Sequence, residues 1–131
     1  MNPFINDFRS YIGLTLCGQL FELCRNKQFE AMHCGDFVNF INLRPTNQPI
    51  KIKDGENLRL SYLIFVLGTE VVDSDYSAHW ISTMLAQCCI TKKFYSSYKK
   101  YLISDDTRKN IEFKESLHQA IERADKFDKG L

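Results

Sequence analysis

The spacing of apolar residues predicts helices over most of the chain. From residue 2 to residue 25, apolar side chains recur three or four positions apart, which is the spacing of one face of a long helix. Gly13 and Gly18 fall inside this stretch. Each would weaken the helix by about 1 kcal/mol relative to alanine, or would permit close packing against a neighbour. A break is expected at residues 26–28.

The next helical pattern covers residues 29–43 and contains a glycine. Gly35 predicts either two short helices or one bent helix, and Asp36 can cap the second piece. The pattern ends before Pro45, because the residue that precedes a proline disfavours the helical conformation.

Residues 45–56 form the only connection that is rich in helix-breaking residues. Isoleucine alternates with lysine there, which resembles one arm of a β-hairpin that turns at Asp54 and Gly55. The apolar run that follows is longer than most strands. It therefore favours an extended loop and then a buried helix from about Glu56 to Val72.

The second half of the chain predicts two further helices. The acidic cluster at residues 73–75 is typical of a helix start, and the stretch to residue 103 contains neither glycine nor proline. Its apolar stripe predicts one long helix near residues 75–103. A second acidic cluster at residues 104–106 precedes a more polar helix at residues 111–127.

These elements predict an all-α fold, a single-domain bundle of about five helices over residues 1–131. One extended connection lies near residues 45–56, and the centre is formed by the helices at 58–72 and 80–102. The length suits one domain, and six glycines and three prolines imply few turns.

Charge and cysteine content narrow the class of protein. Seventeen basic and sixteen acidic residues give a net charge of +1, so any attraction to nucleic acid must come from a local patch. Five cysteines at irregular spacing predict reduced thiols in a cytoplasmic protein. The first residues lack the layout of a signal peptide, and the longest apolar run, at 62–67, is too short to span a membrane.

The stretch TKKFYSSYKKY, at residues 91–101, contains four lysines and no acidic residue. On a continuous helix the lysines fall on one side and the aromatic rings on the other. This favours a solvated basic face over a tyrosine-rich core, with the lysines complementing the dipole at the helix C-terminus. The alternative is nucleic-acid binding. Its candidate residues are Lys92, Lys93, Lys99, Lys100, Arg108 and Lys109.

Two other patterns suggest chemistry. The sequence HCGD at residues 33–36 permits a thiol enzyme centred on Cys34, although adjacent helical residues point about 100° apart, so His33 and Cys34 pair poorly. His33 and Asp36 could meet instead. A loose helix-turn-helix spacing occurs at residues 31–41, but its second helix is too apolar to read bases.

We find no metal-ligand spacing and no nucleotide-binding motif, so we expect no metal, no cofactor and no enzyme. Aromatic residues, which are enriched in interfaces, make up 13% of the chain. The sequence therefore favours a small cytoplasmic regulatory or adaptor module that acts through contacts with a protein partner or as a homodimer. A nucleic-acid-associated regulator is the first alternative and the thiol enzyme is the second.

Overall fold

A computed structural model describes residues 10–130, and within that range the chain is a bundle of six α-helices. The helices are α1 (Leu14–Cys24), α2 (Cys34–Ile41), α3 (Asn57–Glu70), α4 (Ser77–Gln87), α5 (Lys92–Tyr98) and α6 (Arg108–Asp128), with a 3₁₀ turn at Tyr101–Ile103. This confirms the predicted all-α bundle. There are six helices because the long helix that was predicted near residues 75–103 is divided.

Helix α3 lies at the centre of the bundle. It packs against α4, α5, α6 and the 3₁₀ turn, while α1 packs against α2 and α6. The side chain of Trp80, in α4, is fully buried, and its indole Nε1 donates a hydrogen bond to the carbonyl oxygen of Ile41 at 2.8 Å. This hydrogen bond joins α4 to the last residue of α2.

The helix that was predicted over residues 2–25 is interrupted within the described residues, because residues 10–13 are not helical and α1 begins at Leu14. Residues 2–9 of the predicted helix lie outside the described residues. The backbone N–H groups of Tyr11 and Ile12 donate to the side-chain oxygen of Asn42, at 2.7 and 2.9 Å. Because this amide takes the place of a helical turn, the helix starts only after Gly13, which is its N-cap residue.

Close packing at a glycine occurs at Gly68 and not at Gly18. A Cβ atom at Gly18 would meet no atom within 4 Å. A Cβ atom at Gly68 would collide with the side chain of Ile81 and lie 3.5 Å from the Trp80 ring. The close approach of α3 to α4 therefore depends on the absence of a side chain at Gly68.

These two glycines give a matched pair of variants. Gly68→Ala is expected to lower the free energy of unfolding by about 1–2 kcal/mol, because overpacking outweighs the gain in helix propensity. Gly18→Ala is expected to raise it by up to about 1 kcal/mol. Urea denaturation measures both, and a stabilising Gly68→Ala substitution would contradict the packing described here.

The predicted break at Gly35 and the predicted cap at Asp36 are both wrong. Helix α2 begins at Cys34, and His33 is its N-cap residue. Gly35 lies inside the first turn of this helix. The Asp36 carboxylate instead accepts a hydrogen bond from the backbone N–H of Asn47 at 2.8 Å. The carboxylate thus ties the following connection to α2.

The connection at residues 45–56 is extended, as predicted, but it does not form a hairpin with the residues that follow it. The carbonyl oxygen of Lys51 accepts from the N–H of Glu30 at 2.9 Å, and that of Gln28 accepts from the N–H of Lys53 at 3.0 Å. The connection therefore pairs with the segment that follows α1.

The single helix that was predicted near residues 75–103 is wrong, because the chain turns between α4 and α5. Cys89 adopts a left-handed conformation with φ of 55°. The N–H of Cys89 donates to Ala86 and that of Ile90 to Leu85, at 3.2 and 3.0 Å, which is the pattern of a Schellman motif. Burial of Ile90, which is 5% exposed, offsets the cost of about 1–2 kcal/mol for a left-handed residue.

Helix α6 begins three residues before the predicted start. The predicted acidic cluster holds the turn that precedes it: Asp105 accepts hydrogen bonds from the N–H of Thr107 at 2.6 Å and from the side chain of Asn110 at 2.9 Å.

Among residues 10–130, no helix combines the length and the apolar character that crossing a bilayer requires.

Candidate interaction surface

Residues 92–103 carry a group of partly exposed rings and lysines. Tyr98, Tyr101 and Ile103 are 41%, 50% and 55% exposed, whereas Tyr95 and Leu102 are buried and hold the segment against the core. We call this feature the aromatic–lysine surface. It consists of Lys92, Lys93, Phe94, Tyr98, Lys99, Lys100, Tyr101 and Ile103.

The prediction that the tyrosines face the core is correct for Tyr95 and wrong for Tyr98 and Tyr101. The helical wheel assumed one helix, but α5 ends at Tyr98 and a 3₁₀ turn follows. Tyr101 therefore leaves the line of α5, whereas Tyr98 is exposed on the last turn of α5 itself. The rings also contact one another, with centroids 4.7 Å apart for Phe94 and Tyr98 and 6.2 Å apart for Tyr98 and Tyr101.

The lysines of the surface fall into two pairs. Lys92 and Lys93 are the first residues of α5, after the capping side chain of Thr91. The prediction that they complement the helix C-terminus is therefore wrong, since the N-terminal end of a helix repels cations. Lys99 and Lys100 place their Nζ atoms 5.7 and 5.4 Å from the centroid of one ring, that of Phe65 on α3. The second pair thus has a structural role that the first pair lacks.

The six predicted basic residues differ in whether they pair with an acidic side chain. Within residues 10–130, no carboxylate lies within ion-pair distance of the four lysines at 92–100. Arg108 pairs with Glu112 at 3.1 Å, and Lys109 pairs with Glu56 at 3.4 Å. Of these six residues, the four lysines are the ones that have no acidic partner among residues 10–130.

The chemistry proposed for residues 33–36 finds little geometric support. Cys34 is exposed at the start of α2, and no hydrogen bond joins its thiol to His33 or Asp36 in the described part of the chain. All five cysteines are free, and burial raises the pKa of Cys24 and that of Cys88 to about 12. Neither of those thiols is poised as a nucleophile.

A buried polar network lies beside a cavity of about 560 Å³ and was not predicted from the sequence. Its central group is the carboxylate of Glu56, which is 4% exposed. Arg59 donates to both of its oxygens, at 2.8 and 2.6 Å, and Gln28 donates to one of them at 3.1 Å. Arg59 also donates to Asn110 at 2.7 Å. Since Gln28 and Asn110 are far from Glu56 in the sequence, no local pattern could have brought them together.

The network fixes the charge of Glu56. Burial alone would raise the pKa of this carboxyl group. The hydrogen bonds from Arg59 and Gln28 and the charges of Arg59 and Lys109 outweigh burial, and together they hold the pKa below its ordinary value. The carboxylate is therefore ionised at neutral pH and fully engaged with its neighbours.

Comparison with known proteins adds nothing to this picture: no family model, no curated protein and no solved structure matches the chain. Among the described residues, no cluster of three or more histidine, cysteine or acidic side chains is arranged to hold a metal ion.

Proposed function

We propose that this chain is a small regulatory or adaptor module that binds a protein partner through the aromatic–lysine surface. The observation that carries the proposal is the exposure of Tyr98, Tyr101 and Ile103 next to lysines that have no acidic neighbour. Tyrosine is enriched in interfaces, where its ring supplies contact area at low entropic cost.

The charge of the surface selects the kind of partner. Lys92 and Lys93 lie where the dipole of α5 opposes them, so local stability does not explain their presence. Uncompensated lysines at the edge of an apolar patch favour a partner segment that is acidic and carries apolar side chains. The proposal places this contact in the cytoplasm, because a reducing compartment preserves five free cysteines. A homodimer, the other predicted form of association, would set these lysines against one another if both copies used this surface, so the charge favours a different protein as the partner.

A second candidate function is binding of single-stranded nucleic acid. The observation that favours it is the exposure of two tyrosine rings beside lysines, since such binders stack bases on rings within a basic groove. Against it, Tyr98 lies in contact with both Phe94 and Tyr101, and these contacts occupy ring area that bases would need. Protein binding is therefore the preferred function.

Defined probes separate the two functions. We expect an acidic peptide of glutamate and leucine to bind more tightly than a thymidine oligonucleotide of similar charge. Tyr98→Ser/Tyr101→Ser is expected to weaken peptide binding at least tenfold, the effect of losing about 1.4 kcal/mol. Lys92→Glu/Lys93→Glu is expected to abolish the salt dependence of binding. Fluorescence anisotropy measures both effects.

The control for these variants is Leu14→Ser/Phe127→Ser, which removes two side chains that are 75% and 73% exposed elsewhere. It is expected to leave peptide binding unchanged. Tighter binding of the oligonucleotide, lost in both surface variants, would establish the second candidate instead. If neither probe binds and sedimentation finds a monomer at all concentrations, the aromatic–lysine surface is not an interface.

A further inference from the structure

We propose that the cavity between the start of α2 and the connection at residues 45–56 is a binding site for a small organic amine, a molecule that carries an ammonium group on a short apolar body. The cavity has a volume of about 410 Å³, and pockets for small molecules measure roughly 300–1,000 Å³. It shares no residue with the aromatic–lysine surface. The inference therefore stands apart from the proposed function.

The charged group of the cavity is the carboxylate of Asp36, which lies in the first turn of α2 and is 5% exposed. One of its oxygens accepts the hydrogen bond from the backbone N–H of Asn47, at 2.8 Å, so the carboxylate connects two walls of the cavity. The other oxygen accepts no hydrogen bond from residues 10–130. Unlike the unpartnered side-chain oxygens of Gln28 and Ser61, it is not sealed from solvent. A donor that enters the cavity can therefore reach this oxygen.

No basic side chain of the described chain neutralises this carboxylate. Within residues 10–130, no lysine or arginine lines the cavity, and no ion pair includes Asp36. The dipole at the N-terminus of α2 stabilises the negative charge but leaves the second oxygen open. A largely buried carboxylate with an open oxygen favours an ammonium group, because the hydrogen bond between them is charge-assisted.

Neutral amide side chains complete the polar part of the site. Asn39 also lines the cavity, one turn after Asp36 on the same face of α2, and it is half-buried. Asn47 and Gln48 line the cavity from the connection. The side chains of these three residues form no hydrogen bond with a described residue. Their oxygens can therefore accept further hydrogen bonds from an ammonium group, which has three donors.

The rest of the lining includes apolar side chains. Of these, Met32 and Ile50 pack against the hydrophobic core. Gly35 lines the cavity as well, and a Cβ atom there would meet no atom within 4 Å. The space beside α2 is therefore open, and it suits a short hydrocarbon body attached to the ammonium group.

Nuclear magnetic resonance titration of the full chain tests the site with four probes: isoamylamine, isoamyl alcohol, ammonium chloride and a lysine blocked at both ends. With isoamylamine we expect saturable shifts of the backbone amide of Asn47 and of the side-chain amide of Asn39. Isoamylamine is expected to bind about tenfold or more tightly than isoamyl alcohol, which has the same body without the charge. It should also bind more tightly than the ammonium ion, which lacks the apolar body. Tighter binding of the blocked lysine would overturn the free amine as the ligand, because the ammonium group would then come from a protein side chain.

Asp36→Asn retains an acceptor for the N–H of Asn47 and removes the charge. It is expected to weaken binding of isoamylamine about tenfold or more. Asp106→Asn changes the net charge equally at an exposed side chain outside the cavity and is expected to have no effect. The absence of saturable shifts with isoamylamine, or equal weakening in both variants, would overturn the site. Equal affinity for isoamylamine and isoamyl alcohol would overturn the role of Asp36.

A second pair of variants tests the site if Asp36→Asn does not fold. Gly35→Met places a side chain in the open space of the cavity and is expected to abolish binding of isoamylamine. Gly18→Met makes the same substitution at an open position of α1, outside the cavity, and is expected to leave binding unchanged. Unchanged binding in Gly35→Met would overturn the assignment of the ligand to this cavity.

Discussion

Replacing Arg59 by alanine is expected to lower the free energy of unfolding by about 3–5 kcal/mol. The substitution leaves the Glu56 carboxylate buried without the group that donates to both of its oxygens. It also removes the donor to Asn110. The cost arises from an uncompensated buried charge, and it exceeds the value of the ion pair itself. Urea denaturation with a single cooperative transition measures it.

Two further variants separate the buried charge from packing. Glu56→Gln/Arg59→Met removes both charges and is expected to recover most of the lost stability, since paired removal of buried ions is often neutral. Arg25→Ala breaks an exposed pair with Glu22, at 3.4 Å, and is expected to cost less than about 1 kcal/mol. A loss of less than 1 kcal/mol for Arg59→Ala would show that the network adds little to the fold.

The same network predicts how stability depends on pH. Because folding lowers the pKa of Glu56, its ionised form is favoured in the folded state. Its contribution is fully present above the unfolded pKa, near 4.3 for an ordinary glutamate, and is lost as the pH falls through the folded value. Glu56→Gln is expected to flatten this part of the stability profile between neutral and acidic pH. An unchanged slope would contradict the lowered pKa.

Trp80→Ala is expected to lower the free energy of unfolding by about 3–5 kcal/mol. The side chain of Trp80 is fully buried between α3 and the end of α2. Its removal leaves a cavity and an unpartnered carbonyl oxygen at Ile41. Denaturation followed by far-ultraviolet circular dichroism measures the loss without depending on the fluorescence of this residue, the only tryptophan of the chain.

The contributions of the ring and of its N–H group can be separated. Trp80→Phe removes the donor and part of the ring but retains much of the volume, so it is expected to cost less than Trp80→Ala. Phe127→Ala removes a ring that is 73% exposed and is expected to change stability by less than about 0.5 kcal/mol. Equal effects of Trp80→Ala and Phe127→Ala would contradict the central position of Trp80.

Apolar spacing predicts the fold class and the position of α3, because burial of a helix face leaves a periodic mark in the sequence. It fails at the turn after α4. A Schellman motif usually carries glycine at its left-handed position, but here that position is Cys89, so the sequence shows no break. The two backbone hydrogen bonds of the turn and the burial of Ile90 in the assembled core stabilise it, and neither is visible in the local sequence.

Long-range polar contacts could not be predicted for a similar reason. The late start of α1 depends on the side chain of Asn42, about thirty residues away. The polar network at Glu56 depends on Gln28 and Asn110, which are no closer along the chain. Hydrophobic periodicity shows which face of one element is buried. It does not show which distant side chain accepts a hydrogen bond from a backbone N–H group or pairs with a buried charge.

The sequence shows which residues make up the aromatic–lysine surface, but it did not predict how they are arranged. Four lysines and four aromatic rings between residues 92 and 101 are evident from the sequence, but their segregation on one helix was assumed. Tyr98, at the end of α5, and Tyr101, in the 3₁₀ turn, are both exposed, and this exposure is what supports the proposed interface.

Site-specific photo-crosslinking tests the central claim most directly. A photoreactive phenylalanine analogue is placed at position 101 or, as a control, at position 127. Lys114 of α6 contacts the 3₁₀ turn, and position 127 lies about 20 Å further along that helix. In cells that make the protein, we expect one discrete crosslinked protein from position 101. It should disappear when Lys92→Glu/Lys93→Glu is added, and position 127 should not form it. Crosslinking that is equal at both positions, or that is unaffected by the lysine reversals, would contradict the assignment of the aromatic–lysine surface as the interface.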